Sequence, residues 1–533
     1  MRPSTVVFVV ILLACLLPAT TLAGAKPTVT FAPIPSPLLA LQLAQLTASD
    51  GAAHDNFGYS IAISGDTALV GAPFHTVGVA VHQGAAYVFT RSNGSWIQQA
   101  QLTANDGAAN DTFGVSVALS GNTALVAASN RDVGVHTDQG CAYVFVRSGT
   151  TWTQQARLTA SDGAAYDRFG CRVALSGNTA IAGVYTDDIG AHADQGSACV
   201  FTRSGTSWSQ QAKLTAADGA AGDWFGYWVA VSGNTAVVGA PYDDIGGRAN
   251  QGSACVFTRS GSKWKQKTKL TAGKGEANDY FGSAVSVSAR SVLVGAPYGA
   301  VGGHAHQGSA YVFVGSSGHW KQQARLTAAD GAADDWFGSS VSISGDSALV
   351  GAPHDAIGGH TNQGSACVFM RSGSSWVQQA TYTAPDGASG DCFGQWGAAI
   401  SGENVLLGAM YDDVSGKVDQ GSAYTCSTVT IDTGTPAPHV TKSVSVKRGK
   451  KLALPFMIAD PAPSCGRATV TITIRLKTKV VKTIKLKRVL TNKARSYVFK
   501  VTLKKGSYTW TVQATDIAGN IGTQGATKKL IVK

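Results

Sequence analysis

The sequence predicts an all-β fold: a seven-bladed β-propeller of four-stranded blades, its ring closed by an N-terminal strand, followed by a small C-terminal β-sandwich. Three observations predict it. Phe-Gly pairs begin at Phe57, Phe113, Phe169, Phe225, Phe281, Phe337 and Phe393, each 56 residues after the last. Each repeat holds four strand-like runs separated by turn residues. The seventh repeat has only three such runs, and the missing fourth stands ahead of the first repeat.

Composition agrees with this class. The 533 residues include 63 Gly and 11 Trp but only 4 Met, and 14% are charged, which suits a turn-rich β protein. A coiled coil or helical enzyme of this size carries more Glu, Lys and Leu. The glycines also lack the period of three that collagen requires.

In chain order, residues 1–25 read as an export signal. Arg2 is a thin basic end, residues 6–19 are apolar, and Ala23-Gly24-Ala25 offers a small-x-small cleavage site before Lys26. The apolar run is short of the ~20 residues a spanning helix needs, and Leu12-Leu13-Ala14-Cys15 is an imperfect lipoprotein box. Residues 26–38 read as a leader. No later apolar stretch is long enough to cross a bilayer, so the expectation is a secreted or cell-surface protein without a transmembrane segment once the signal is removed.

The propeller is expected over residues 39–430. In the first repeat, residues 59–64 alternate in hydrophobicity up to the turn Gly65-Asp66, and residues 67–70 run into Gly71-Ala72-Pro73, where proline stops pairing. A long polar loop leads to residues 85–90, then a short turn leads to residues 96–103, opened by Trp96. Four such strands make a sheet too small to bury its faces alone, so neighbouring repeats must cover them. Residues 40–48 align with residues 96–104 apart from the leading Trp. They are therefore expected to complete the sheet begun by residues 393–428.

A Pro/Gly/Thr linker over 431–440 precedes the tail. Residues 441–533 hold 21 Lys or Arg against two Asp, so the formal net charge of +11 divides into +19 here and −8 elsewhere. Runs such as 468–476, 480–488 and 497–503 alternate like strands, which predicts the sandwich. Alternation of Lys with Ile or Leu predicts one apolar face and one strongly positive face carrying Lys477, Lys479, Lys482, Lys485, Lys487 and Arg488. Such a face suits an anionic cell-envelope polymer. Nucleic acid fits the charge but not export. The ending of the tail, over 506–520, resembles the last strands of bacterial Ig-like or fibronectin-like accessory domains.

Phe-Gly followed by Gly-Ala-Pro, seven times over, resembles the FG-GAP repeats of the integrin alpha-subunit head and of many secreted microbial proteins. Gly-Ala-Pro is intact at 71–73, 239–241, 295–297 and 351–353, and altered in the other three repeats. The resemblance implies a Ca²⁺ loop between the first and second strands. Here that hairpin is Ser64-Gly65-Asp66-Thr67 or its copies, too short to supply the 6–8 oxygen ligands Ca²⁺ usually takes. The family's usual calcium loop is therefore absent, and any Ca²⁺ must sit elsewhere.

The acids concentrate in the loops flanking this hairpin. The connection between repeats reads D-G-x-x-x-D, giving the pairs Asp50 and Asp55, Asp106 and Asp111, Asp162 and Asp167, Asp218 and Asp223, Asp330 and Asp335, and Asp386 and Asp391. These are the candidate metal positions. The plainer reading is a turn, with short carboxylates accepting nearby backbone N–H groups. The loop after the second strand adds Asp187, Asp188, Asp243, Asp244, Asp412 and Asp413. With Trp224 and Trp336, which flank Phe-Gly, these are the candidate ligand-face residues.

Cys199, Cys255 and Cys367 stand where other repeats carry Tyr87, Tyr143, Tyr311 and Tyr424, a pattern of buried packing rather than catalysis. No triad, unique carboxylate pair or metal set stands out, and seven near-equal copies argue against one active site. The expected function is a secreted or cell-surface adhesion module whose long-loop face takes an extracellular protein or glycan. The alternatives are a secreted hydrolase of polysaccharide or phosphoester, and a structural surface or matrix protein.

Overall fold

The computed structural model describes residues 44–316, 319–427, 437–440, 443–459, 467–490, 495–516 and 526–533. The expected export signal, Cys15, the leader and most of the linker lie outside them. The first repeat forms strands Ser60–Ser64, Thr67–Ala72, Ala85–Ser92 and Ser95–Leu102, paired antiparallel in chain order. Five further repeats reproduce this sheet. The seventh consists of Ala398–Ser401, Asn404–Ala409 and Ser422–Ser427, completed by Ala44–Leu46 from the start of the chain. Gln45 lies opposite Tyr424 in that pairing, so the strand predicted from the alignment with residues 96–104 is where the sequence places it.

Seven four-stranded repeat sheets are thus present, but the expected ring-closed seven-bladed propeller is corrected: each of these sheets is open, and none is closed or curled into a ring. The physical reason lies in how repeats meet. Among the described residues no strand of one repeat sheet pairs with a strand of the next, although an isolated bridge links Gly308 to Phe337. Neighbours join instead through buried side chains, loop hydrogen bonds and close backbone approaches.

Those approaches explain both glycine motifs. A Cβ on Gly71 would lie 2.0 Å from the carbonyl oxygen of Gly114, the Phe-Gly glycine of the next repeat. Gly239 and Gly295 stand in the same relation to Gly282 and Gly338, and Gly408 approaches Gly58. Gly58 itself has φ 96°, a region open to glycine. The phenylalanine beside it is fully buried in every repeat. Phe57, for example, packs edge-on against Tyr87 and Phe89, with ring centroids 5.5 and 5.9 Å away.

Tryptophans recurring every 56 residues from Trp96 to Trp376 lock one repeat to its predecessor. Trp152, Trp208, Trp264 and Trp376 donate their indole N–H to Gln99, Gln155, Gln211 and Gln323 of the preceding fourth strand, at 2.9–3.1 Å. An arginine from the third strand lies over each of these rings, as Arg147 does at 5.4 Å from Trp152. The fifth repeat departs from this pattern. Gly315 replaces the arginine and Lys267 replaces the glutamine, so the buried Nε1 of Trp320 has no partner.

In the tail, strands Ala437–Val440, Lys451–Ala459 and Arg495–Lys500 form one sheet. Strands Val444–Val446, Lys528–Val532, Gly506–Asp516, Arg467–Leu476 and Lys479–Leu490 form a second. One core joins them, with Leu454, Phe456 and Ile458 from the first meeting Ile472, Ile474 and Trp510 from the second. This is the two-layer β packing that the alternating pattern predicts.

Candidate functional site

The acidic loops of neighbouring repeats are held together by backbone hydrogen bonds. Asn110 N–H reaches Val81 O at 2.9 Å and Phe113 N–H reaches Gln83 O at 2.8 Å, a pattern repeated along the chain. A Gln-Gly pair recurs every 56 residues from Gln83 to Gln363, then at Gln420, and its glutamine takes part directly. A Cβ on Gly107 would lie 2.3 Å from the amide nitrogen of Gln83, so the Asp-Gly glycine is the floor on which that side chain rests.

Within each D-G-x-x-x-D loop the second carboxylate is buried and accepts the N–H three residues earlier. Asp55, Asp111, Asp167, Asp223, Asp335 and Asp391 do so at 2.6–2.7 Å. Burial raises the pKa of most of them, up to about 6 for Asp167 and Asp391. The first carboxylate of the loop meets a side-chain donor in most repeats. Tyr87 and Gln101 reach Asp50, while Tyr143 and Arg157 reach Asp106. Lys213 reaches Asp162, Lys269 reaches Asp218, and Tyr424 reaches Asp386. Where cysteine replaces tyrosine, at Cys199 and Cys255, a lysine takes over the carboxylate. No group of three or more His, Cys, Asp or Glu with metal-holding geometry occurs among the described residues.

The Asp pairs after the second strand divide in the same way. Asp187, Asp243 and Asp412 are buried and accept the hydroxyls of Ser197, Ser253 and Ser422 at 2.5–2.6 Å. Lys213 and Lys269 also reach Asp187 and Asp243, at 2.6 and 2.5 Å. Asp188, Asp244 and Asp413 are exposed and accept a backbone N–H six residues on, at 2.8–2.9 Å. Most of the acids picked out from the sequence are thus committed to internal donors. The two tryptophans are placed differently.

Trp224 and Trp336 belong to a continuous arc of partly buried rings crossing the third to sixth repeats. Tyr185 lies 5.2 Å from Trp224, which lies 4.2 Å from Tyr242. Tyr242, Tyr280, Tyr298 and Trp336 then follow at centroid spacings of 5.0–5.1 Å, and His354 stacks on Trp336 at 3.7 Å. Apart from Tyr185, which takes the proline position of its altered Gly-Ala-Pro, the rings come from two positions of the repeat, the residue before Phe-Gly and the residue after Gly-Ala-Pro. Position 224 and its equivalents Tyr280 and Trp336 adopt positive φ, near 50–57°, which turns the side chain out of the strand that follows. Tyr227, Pro241, Tyr242, Asn278, Tyr280, Tyr298 and His306 line a cavity of about 490 Å³ along the arc.

Sequence reading found two of these rings and missed the others. The signal was present: Tyr242, Tyr298 and His354 are spaced by the repeat, as are Trp224, Tyr280 and Trp336. Of the doublet His304-Ala305-His306, His306 reaches Asp334 at 2.9 Å and packs beside Tyr298. Arg172 of the third repeat meets the rings of Trp228 of the fourth and Trp396 of the seventh, at 4.5 and 5.3 Å. This cation–π contact borders a second cavity of about 250 Å³. The seven described cysteines outside the tail are all free, and burial raises the thiol pKa of Cys199, Cys255 and Cys367 to about 12.

On the tail, the basic residues do not share one face. Lys482 pairs across from buried Ile474 and Lys485 across from Thr471, so the two side chains leave opposite faces of the strand. The Lys482 ammonium lies 5.5 Å from the Phe499 ring. Lys477 and Lys479 are exposed at the hairpin turn. Lys487 and Arg488 lie on the same edge strand, Lys479–Leu490, with side chains outside the described residues.

Repeated four-stranded sheets joined by glycine contacts define a class of β-repeat protein. The FG-GAP repeat family matches residues 41–89, 96–145, 152–201, 208–257, 264–313, 320–369 and 376–426, and the chain belongs to that family. Its repeats support a non-catalytic, adhesion-related protein. No curated protein matches the chain. One solved structure, titled "Structure of surface layer protein SbsC, domains 4-9", pairs with 88% of this chain and 81% of its own at 12% identity and a TM-score of 0.09, and it carries no argument. No helix among the described residues is long and apolar enough to cross a membrane.

Proposed function

We propose that the protein is a cell-surface or secreted adhesion module that binds a glycan along the aromatic arc of its third to sixth repeats. The observation that supports this most is the run of rings from Trp224 through Tyr242, Tyr280 and Tyr298 to Trp336. Rings that are partly buried are held in place, so little side-chain entropy is lost when a ligand stacks on them. Their exposed edges and faces suit the apolar C–H faces of sugar rings. Asn278 and His306 at the cavity wall supply hydrogen-bonding groups for sugar hydroxyls. The carboxylates of Asp187, Asp243 and Asp412 support this reading as scaffold, because they hold the loops that present the rings.

The tail contributes an electrostatic hold on an anionic envelope polymer through Lys477, Lys479 and Lys485, with an affinity that falls as salt screens the charges. Isothermal titration of envelope-type oligosaccharides into the full chain tests the arc. Tyr298→Ala and Trp336→Ala are expected to weaken binding at least tenfold while leaving the thermal midpoint close to that of the wild type. Unchanged affinity in both variants would remove the arc from the binding role.

A further inference from the structure

Repeats three, four and seven share one internal contact that the fifth repeat lacks. In each of the three, a serine opening the third strand donates to a buried carboxylate after the second strand. The pairs are Ser197 with Asp187, Ser253 with Asp243, and Ser422 with Asp412. In repeats three and four a lysine from the fourth strand completes the carboxylate's partners. The fifth repeat keeps the serine as Ser309 and the cation as Arg325, but Gly299 takes the place of the acid. Ser309 is fully buried and its hydroxyl has no hydrogen-bond partner. Arg325, without the acids, donates to the Ala300 carbonyl at 2.9 Å and lies 5.6 Å over the Tyr311 ring.

The change is not confined to Gly299. Lys274 stands where the third and fourth repeats carry Asp162 and Asp218. Two acids have therefore gone from neighbouring loops while the donors remain, and Lys274, Glu276, Asp279 and Arg325 sum to no net charge where their counterparts in the third and fourth repeats are net negative. There is also room. A Cβ built on Gly299 would meet nothing closer than the Asp279 carboxylate at 3.4 Å, an ordinary contact, and Gly299 does not have positive φ. Asp279 is no bar to a second carboxylate, since Asp167 and Asp223 occupy the equivalent position beside Asp187 and Asp243 in the sister repeats. Its own carboxylate is occupied in part by the Glu276 N–H at 2.8 Å.

We infer that the fifth repeat forms a subsite for an external carboxylate, which takes the place that an aspartate fills internally in the third, fourth and seventh repeats. Arg325 and Lys274 supply the charge, and the missing side chain at Gly299 leaves the Ser309 hydroxyl without the acceptor its counterparts have. The inference does not depend on the aromatic arc. The carboxylate belongs to an acidic sugar or to an acidic peptide side chain, and both present the same group.

Thermal denaturation of the full chain tests it, with chloride, acetate, glucuronate and N-acetyl-aspartate compared at matched ionic strength. The carboxylates are expected to raise the wild-type midpoint above that in chloride by about 2 °C near saturation. A larger effect of glucuronate identifies the sugar source, and a larger effect of N-acetyl-aspartate the peptide source. Gly299→Asp supplies the carboxylate internally and is expected to abolish the response, as is Arg325→Gln by removing the cation. Either no carboxylate-specific shift in the wild type, or a shift retained in both variants, would overturn the subsite.

Discussion

At the scale of single residues, the loop carboxylates decide how the protein responds to pH. Asp167 and Asp391 have pKa values pushed up to about 6, first by burial and then by neighbouring acids such as Asp187 and Asp412. Asp111, Asp223, Asp279 and Asp335 shift in the same direction, again led by burial. A carboxyl whose folded pKa lies above its unfolded value of about 4 binds its proton more tightly in the folded state, so its ionisation costs stability as pH rises through the folded value. His75 adds to the trend. Burial opposes its protonation, but the hydrogen bond and charge of Asp55 outweigh that and raise its pKa, so its contribution is also lost as pH rises. Asp162 is held below the usual range by Lys213, but its effect falls below about pH 4. The thermal midpoint is therefore expected to be higher at pH 5 than at pH 7.5, and Asp391→Asn should reduce the difference. A midpoint that climbs steadily over that interval would contradict this assignment of the loop acids.

At the scale of the element, the repeat unit is a hairpin sheet whose neighbours recognise it through a few fixed contacts. Much of this was legible in the sequence. The 56-residue period, the four strands of each repeat and the displaced strand over Ala44–Leu46 all follow from aligning Trp, Phe-Gly and Gln-Gly. The reasons for the motifs were not legible, because they depend on which atoms of the next repeat lie opposite. Gly71 must be glycine because of a carbonyl 43 positions further on, at Gly114, and no local pattern reports that. The candidate acids illustrate the same limit: their recurrence was visible, but their donors Lys213, Lys269 and Tyr87 lie in strands that only the fold brings near. The tail is a different case, because strand parity alone reports it. Lys482 and Lys485 are three residues apart and so leave opposite faces of one strand, which divides the expected positive patch. The fifth repeat offers a direct check of the element account. Lys267→Gln restores the acceptor that Trp320 Nε1 lacks, and a hydrogen bond of this kind is worth ~0.5–1.5 kcal/mol. Denaturant unfolding should show a stabilisation of that size, whereas a neutral or destabilising result would show that the Trp–Gln contact does not help hold repeats together.

At the scale of the whole molecule, the sequence-level expectation of a closed ring gives way to seven open four-stranded sheets, and the aromatic arc gains weight as the acids lose it. Rings at two positions of three successive repeats, the fourth to the sixth, line up because the period is constant, so a surface no single repeat could form emerges from their stacking. The central claim is that this arc, rather than the acidic loops, meets the ligand. Hydrogen–deuterium exchange on the full chain, with and without a binding envelope oligosaccharide, tests that claim most directly. Protection is expected in the segments carrying Trp224 and Tyr242, Tyr280 and Tyr298, and Trp336 and His354, with little change in the loop tips of the first and second repeats. Protection confined to the acidic loops of other repeats, with the arc segments unchanged, would contradict it.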